Sequence, residues 1–219
     1  MAAGFSNRRG AVAACAVGAA LLLRRIGTRS GATDDEVRAR LAGDALVPEP
    51  HWASSRGIGI AAAPPDVWPW IAQMGYPTLR GGWYTPHWLD RLQWGIRARS
   101  SDRVRPELQE LEVGDRIPDS PDGTAFFTVR EVEPGRALVL FSTRHLLKPL
   151  RRVAFSWAFV LEPAGPGATR LVIRARVRGE PGWALAVLWP LLAVGDWLNA
   201  SAMLRGIKAR SERAALGRR

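Results

Sequence analysis

Residues 169–178, "TRLVIRARVR", send Leu171, Ile173, Ala175 and Val177 one way, and Arg170, Arg174, Arg176 and Arg178 the other. This period of two predicts a β-strand with one dry and one wet face, which antiparallel sheets allow. Immediately upstream, "VAFSWAFVL" (153–161) sets Val153, Phe155, Trp157, Phe159 and Leu161 against Ala154, Ser156, Ala158 and Val160, and "PAGPG" turns the chain between the two. Further back, "FFTVREVE" (126–133) runs to the turn Pro134-Gly135 and "ALVLFSTR" (137–144) returns. "SSRGIGIA" (54–61) predicts one more strand, stopped by Pro64-Pro65.

A dry sheet face needs a cover. The stretch 183–213 supplies it: Pro190 is expected to divide an apolar lead-in from a helix whose Leu191, Val194, Trp197, Leu198, Met203, Leu204 and Ile207 face the sheet. The lead-in is too short to span a bilayer alone. A second helix starts near Asp66, because Val67, Trp70, Ile71 and Met74 keep helical spacing before Gly75 and Pro77 end it. The expected class is therefore α+β: an antiparallel sheet curled round a long carboxy-terminal helix. No internal repeat interrupts it.

The chain has 219 residues and a formal charge of +11, enough length for a sizeable core. The charge is not spread over the expected fold. Five arginines and no acid in residues 1–30, with six basic residues against Glu212 in 205–219, account for ten of the eleven charges. A nucleic-acid binder needs its charge on the folded face, so nucleic acid is not an expected partner, whereas basic ends suit an acidic membrane surface. Cys15 is the sole cysteine, so no disulfide can form within the chain.

Residues 10–23, "GAVAACAVGAALLL", form an uncharged run between two arginine pairs. As a helix it would span roughly 21 Å, short of the ~30 Å hydrocarbon core. A short signal-anchor is the preferred reading. A cleaved export signal is disfavoured because Arg24-Arg25 stands where small residues should be, and an interfacial leader is the third option. The division that follows is a leader and membrane anchor over 1–30, a polar connector over 31–52 with a short helix near Asp34–Leu41, a folded domain over 53–215 and a basic tail over 216–219. Membrane association through the leader is the expected localisation, with a cytoplasmic protein as the alternative.

Standard catalytic signatures (HExxH, GxSxG, a Walker A loop) are absent from the sequence. "GIGIAA" at Gly57 has the letters of a dinucleotide turn, but it lies inside a strand and runs into two prolines. His51, His87 and His145 have no ligand spacing, so neither a metal nor a cofactor is expected. Arg105, Glu107 and Asp115 read as a solvated loop with local ion pairs.

The stretch 81–94, "GGWYTPHWLDRLQW", remains. Trp88, Leu89 and Leu92 at helical spacing would suit a plain core. Gly81-Gly82 before Trp83-Tyr84 instead suggests a hinge presenting two rings. Together with the sheet's own aromatics the insert brings more bulk than one sheet and one helix need, so some rings should line a cavity. Trp83, Tyr84 and Trp88 lead the candidates, with Phe127, Phe141, Trp157 and Met203 from sheet and helix. His87 and Tyr84 are weaker candidates for an acid–base role.

The segments "RGIGIAAAPPDVWPWIAQMG", "GGWYTPHWLDRL", "RVRPELQELEVGDRI", "SWAFVLEP", "TRLVIRARV" and "GDWLNASAMLRGIKAR" together resemble the SRPBCC superfamily over residues 31–215 approximately. That superfamily includes START-type lipid carriers, polyketide cyclases and dehydratases, and plant pathogenesis-related proteins. The nearest likeness is to an uncharacterised bacterial branch with a hydrophobic leader. The resemblance implies a helix-grip fold with a deep apolar cavity, and binding or transport of a hydrophobic small molecule or lipid. A cyclase- or dehydratase-like enzyme using the same cavity is the alternative. A regulatory protein with a closed core is the third. Catalytic residues are not shared across the superfamily, so none carries over.

Overall fold

The computed structural model describes residues 25–144 and 152–217, together with Gly18. The rest of the apolar run, and with it the expected membrane anchor, lies outside the described residues, as do Cys15 and His145. Six strands form one antiparallel sheet: β1 (Trp52–Ile60), β2 (Arg116–Pro118), β3 (Phe126–Glu133), β4 (Ala137–Ser142), β5 (Arg152–Pro163) and β6 (Thr169–Glu180). Their order across the sheet is β1-β6-β5-β4-β3-β2. Helices among the described residues include α1 (Asp34–Arg38), α2 (Pro64–Ala72), α3 (His87–Trp94) and α4 (Gly182–Leu216). The curved sheet against a long last helix fits a helix-grip fold.

Register follows from pairing the dry faces. Phe155 stands opposite Val177, Trp157 opposite Ala175, Phe159 opposite Ile173 and Leu161 opposite Leu171. On this face Phe127, Val129, Leu138, Leu140, Phe159, Leu161, Leu171 and Ile173 pack with Val67, Trp70 and Ile71 of α2 and Met203, Leu204 and Ile207 of α4. The four residues that predicted α2 are 3 % exposed or less; Pro64 and Pro65 occupy its first turn, where no N–H is needed, and Pro69 lies inside it.

On β6 the opposite face is largely covered. The connector lies over it, held by the arginines of β6. Arg170 pairs with Glu36, Arg174 donates to the Ala39 carbonyl (2.7 Å) and to Asp44 (2.8 Å), and Arg176 donates to the Val47 and Pro48 carbonyls. An irregular segment leaves its own carbonyls without partners, and a row of guanidinium groups supplies the missing donors. Arg174 is consequently 4 % exposed.

Pro190 does not divide the last helix, which runs unbroken for 35 residues. One lost N–H bond is tolerated because both flanks are packed: Leu185 sits with Val153 and Val177, and Ala193 meets Gly27. Of the residues expected to face the sheet, Met203, Leu204 and Ile207 do so, whereas the four nearer the start of the helix do not. Ala184, Ala193, Ala200, Met203, Leu204 and Ile207 face inward, while Leu191 and Val194 are exposed and Trp197 and Leu198 are 37 % exposed. The stretch 183–194 is apolar all round, so its periodicity gives no contrast from which to choose a face. Among the described residues no helix is long and apolar enough to cross a membrane.

Candidate functional site

Between α4 and the β5 region of the sheet the packing gives way to a half-open pocket. A cavity of about 420 Å³ lies there, bounded by β5, the turn before β3, the insert carrying α3, and one side of α4. Its apolar wall is aromatic. Trp83 stacks on Trp157 with centroids 5.4 Å apart, and Phe155 stacks on Trp157 at 5.9 Å. Ala200 and Met203 close the helix side, and Trp94 with Ile96 stands at the end of α3. Trp94 is also 67 % exposed, which makes its end of the cavity the mouth.

The sequence candidates separate into two groups. Trp83, Trp157 and Met203 line the cavity. Tyr84, Trp88, Phe127 and Phe141 do not, each for its own reason. Phe127 faces inward but lies behind the lining, edge-on to Trp83 at 6.1 Å and to Phe155 at 5.2 Å. Phe141 sits one residue out of phase: Leu138 and Leu140 take the core, and Phe141 turns to the other face, where Arg130 lies over its ring at 5.4 Å. Trp88 is 65 % exposed on α3.

Tyr84 is a structural pin. Its backbone has φ 60, in the left-handed region. The hydroxyl donates to the Trp70 carbonyl at 2.9 Å, the Arg210 guanidinium lies 4.9 Å from the ring centroid, and Gly206 of α4 packs directly on its backbone. Burial pushes the phenol far above its ordinary range. The group holds its proton and already donates it, so it offers no base. Gly81-Gly82 is likewise no hinge. A Cβ on Gly82, whose φ is 89, would stand 2.7 Å from the Ser100 backbone, so the pair is there for close approach. His87 begins α3 with its Nδ1 buried and lacking a hydrogen-bond partner among the described residues, but it is not part of the lining. Arg105 and Glu107 form an exposed pair at 2.9 Å and Asp115 accepts from the Glu112 amide, all away from the cavity.

The polar lining was missed by sequence reasoning. Asp90 and Asp196 both contribute to the walls, with Thr85, Ser120 and Asn199. Asp90, 6 % exposed, accepts a hydrogen bond from the Thr85 hydroxyl. Burial raises its carboxyl above the usual range, with the Thr85 bond and the charge of His87 pulling the other way. Asp196 is also raised by burial, against the pull of Arg56. That arginine, 1 % exposed on β1, reaches Asp196 through Nε (3.1 Å) and Nη2, and donates to Ser30 Oγ (2.7 Å) and the Gly27 carbonyl. A signal existed for Asp90: it lies four residues before Trp94, so any helix that brought one to the cavity would bring both. Among the described residues no three His, Cys, Asp or Glu side chains converge as a metal site. What the site offers is a half-open, largely apolar and aromatic-walled pocket with a few fixed polar groups.

No protein-family profile matches the sequence, and the search of curated proteins found no match. Solved structures show likenesses of shape. Protein MLL2253 of Mesorhizobium loti is 16% identical, with 74% of this chain and 98% of that one covered at a TM-score of 0.44. Hypothetical protein jhp0584 of Helicobacter pylori is 15% identical over 78% and 95%, at 0.49. A point mutant of norcoclaurine synthase from Thalictrum flavumn, in complex with a transition-state analogue, is 15% identical over 74% and 94%, at 0.43. Likenesses at this level assign no residue a role.

Proposed function

We propose that this chain is an SRPBCC-type protein that binds or carries a hydrophobic small molecule or lipid in the cavity between β5 and α4. The observation that carries the reading is a hollow of about 420 Å³ walled by Trp83, Phe155 and Trp157, where a domain of this size would otherwise be packed solid. Burial of apolar surface supplies affinity; Asp90 and Asn199 orient the guest. The apolar run at residues 10–23 is proposed as a membrane tether, and fractionation of the chain with and without residues 1–27 tests that part.

The main test is titration with 1-naphthol, decanoic acid and a sterol, followed by tryptophan fluorescence, beside native mass spectrometry of the purified chain. One guest per chain is expected. Ala200→Phe, which fills the cavity from α4, should weaken binding at least tenfold while the chain stays folded. An empty protein indifferent to all three compounds would overturn the reading.

A second reading, a cyclase- or dehydratase-like enzyme, is favoured by one observation: Asp90 is a cavity carboxyl whose proton affinity is raised by burial. It moves the acid–base role from His87 and Tyr84 to Asp90. Asp90→Asn should then abolish turnover of a polyketide-like substrate and leave its binding intact.

A further inference from the structure

The helix at the cavity mouth exposes what a folded protein ordinarily hides. On α3 and the residues after it, Trp88 is 65 %, Leu92 77 % and Trp94 67 % exposed. Trp88 and Leu92, one turn apart, share an exposed face of the helix, and Trp94 is exposed at its end beside the cavity mouth. The charges beside them have one sign. Arg91, Arg97 and Arg99 are exposed and form no ion pair among the described residues. The one acid of the segment, Asp90, is turned inward to the cavity. Residues 87–99 therefore present tryptophan, leucine and arginine outward and hide their carboxylate.

From this arrangement we propose that residues 87–99 are a docking element for an anionic lipid surface, seated beside the cavity mouth. Indole rings favour the headgroup boundary, where one edge is apolar and the other wet, and arginines beside them meet anionic headgroups. Trp94 and Ile96 belong both to this segment and to the cavity lining, so docking here brings the opening against the bilayer. A protein partner or a second copy of the chain would meet the same apolar groups but has no need of three unpaired arginines. The docking depends neither on the proposed tether nor on what the cavity holds.

The test is co-sedimentation of the full chain with large unilamellar vesicles of phosphatidylcholine alone or with phosphatidylserine at three-tenths. Tighter binding to the anionic vesicles is expected. Trp88→Ser/Leu92→Ser, two residues outside the cavity lining, should lower the partition coefficient at least tenfold on either vesicle. Arg97→Gln/Arg99→Gln should lower it by about fivefold per arginine on anionic vesicles only, an effect that salt erases in the parent chain. Unchanged 1-naphthol titration and melting temperature in both variants show that the fold and cavity are intact. If both variants partition like the parent, the tether alone accounts for membrane binding and the proposal is overturned. It is equally overturned if the Trp88→Ser/Leu92→Ser change alters the oligomeric state without lipid and leaves vesicle binding unchanged.

Discussion

Asp90 shows how one residue's surroundings set its chemistry. Its carboxyl is raised in the folded chain, so the folded state holds that proton more tightly than the unfolded one. Its contribution to stability is present at low pH and is lost as pH rises through the raised value. Asp90→Asn should remove this slope, leaving stability flatter across the acid range in thermal melts at successive pH values. Tyr84 gives the opposite case, a residue valued for its hydrogen bond to Trp70 rather than for chemistry. Tyr84→Phe should cost about 1–2 kcal/mol in denaturant unfolding and leave 1-naphthol affinity unchanged; a large loss of affinity would put Tyr84 back in the site. At this scale aromatic content was legible but direction was not. Trp83 and Trp88 look alike in the sequence, yet one stacks on Trp157 and the other faces solvent. Phe141 was chosen for its size, whereas strand parity gave the inward positions to Leu138 and Leu140.

Strands were the most legible elements, because their period of two survives burial on either side. β3 runs over the expected 126–133, β5 exceeds its expected bounds by one residue at its start and two at its end, and β6 begins where expected and runs two residues further. The role of the arginines in β6 was not legible, since a solvated row and a row clamping a connector have the same alternation. The clamp predicts a cost. Arg174→Leu would leave Asp44 and the carbonyls of Glu36, Val37 and Ala39 without their buried donor, and should lower unfolding free energy by about 3–5 kcal/mol. A surface arginine would lose less than ~1 kcal/mol, so the unfolding midpoint distinguishes the two. Gly206 makes a parallel point on α4. A Cβ there would stand 2.0 Å from the Tyr84 carbonyl oxygen, so Gly206→Ala must push the insert off the helix at a cost of roughly 1–3 kcal/mol.

For the molecule as a whole, the consequential feature is uneven filling. One end of the space between sheet and α4 is packed by α2; the other is left to the aromatic insert and stays hollow. A guest that binds only the folded chain stabilises it by mass action, by about 2.7 kcal/mol at one hundred times its dissociation constant. Saturating 1-naphthol should therefore raise the melting temperature by several degrees, and Ala200→Phe should abolish the rise. The sequence by itself determined the α+β class, the antiparallel strands, the amphipathic α2 and the presence of surplus aromatic bulk, because alternation, helical spacing and composition are local properties. Only the tertiary structure decided which face of α4 turns inward, which rings meet, that Asp90 and Asp196 share an enclosure, and that the connector covers the arginine face. Each of these depends on residues up to 140 positions apart, as Arg56 and Asp196 are, being brought into contact by sheet curvature and helix rotation, neither of which a local pattern encodes.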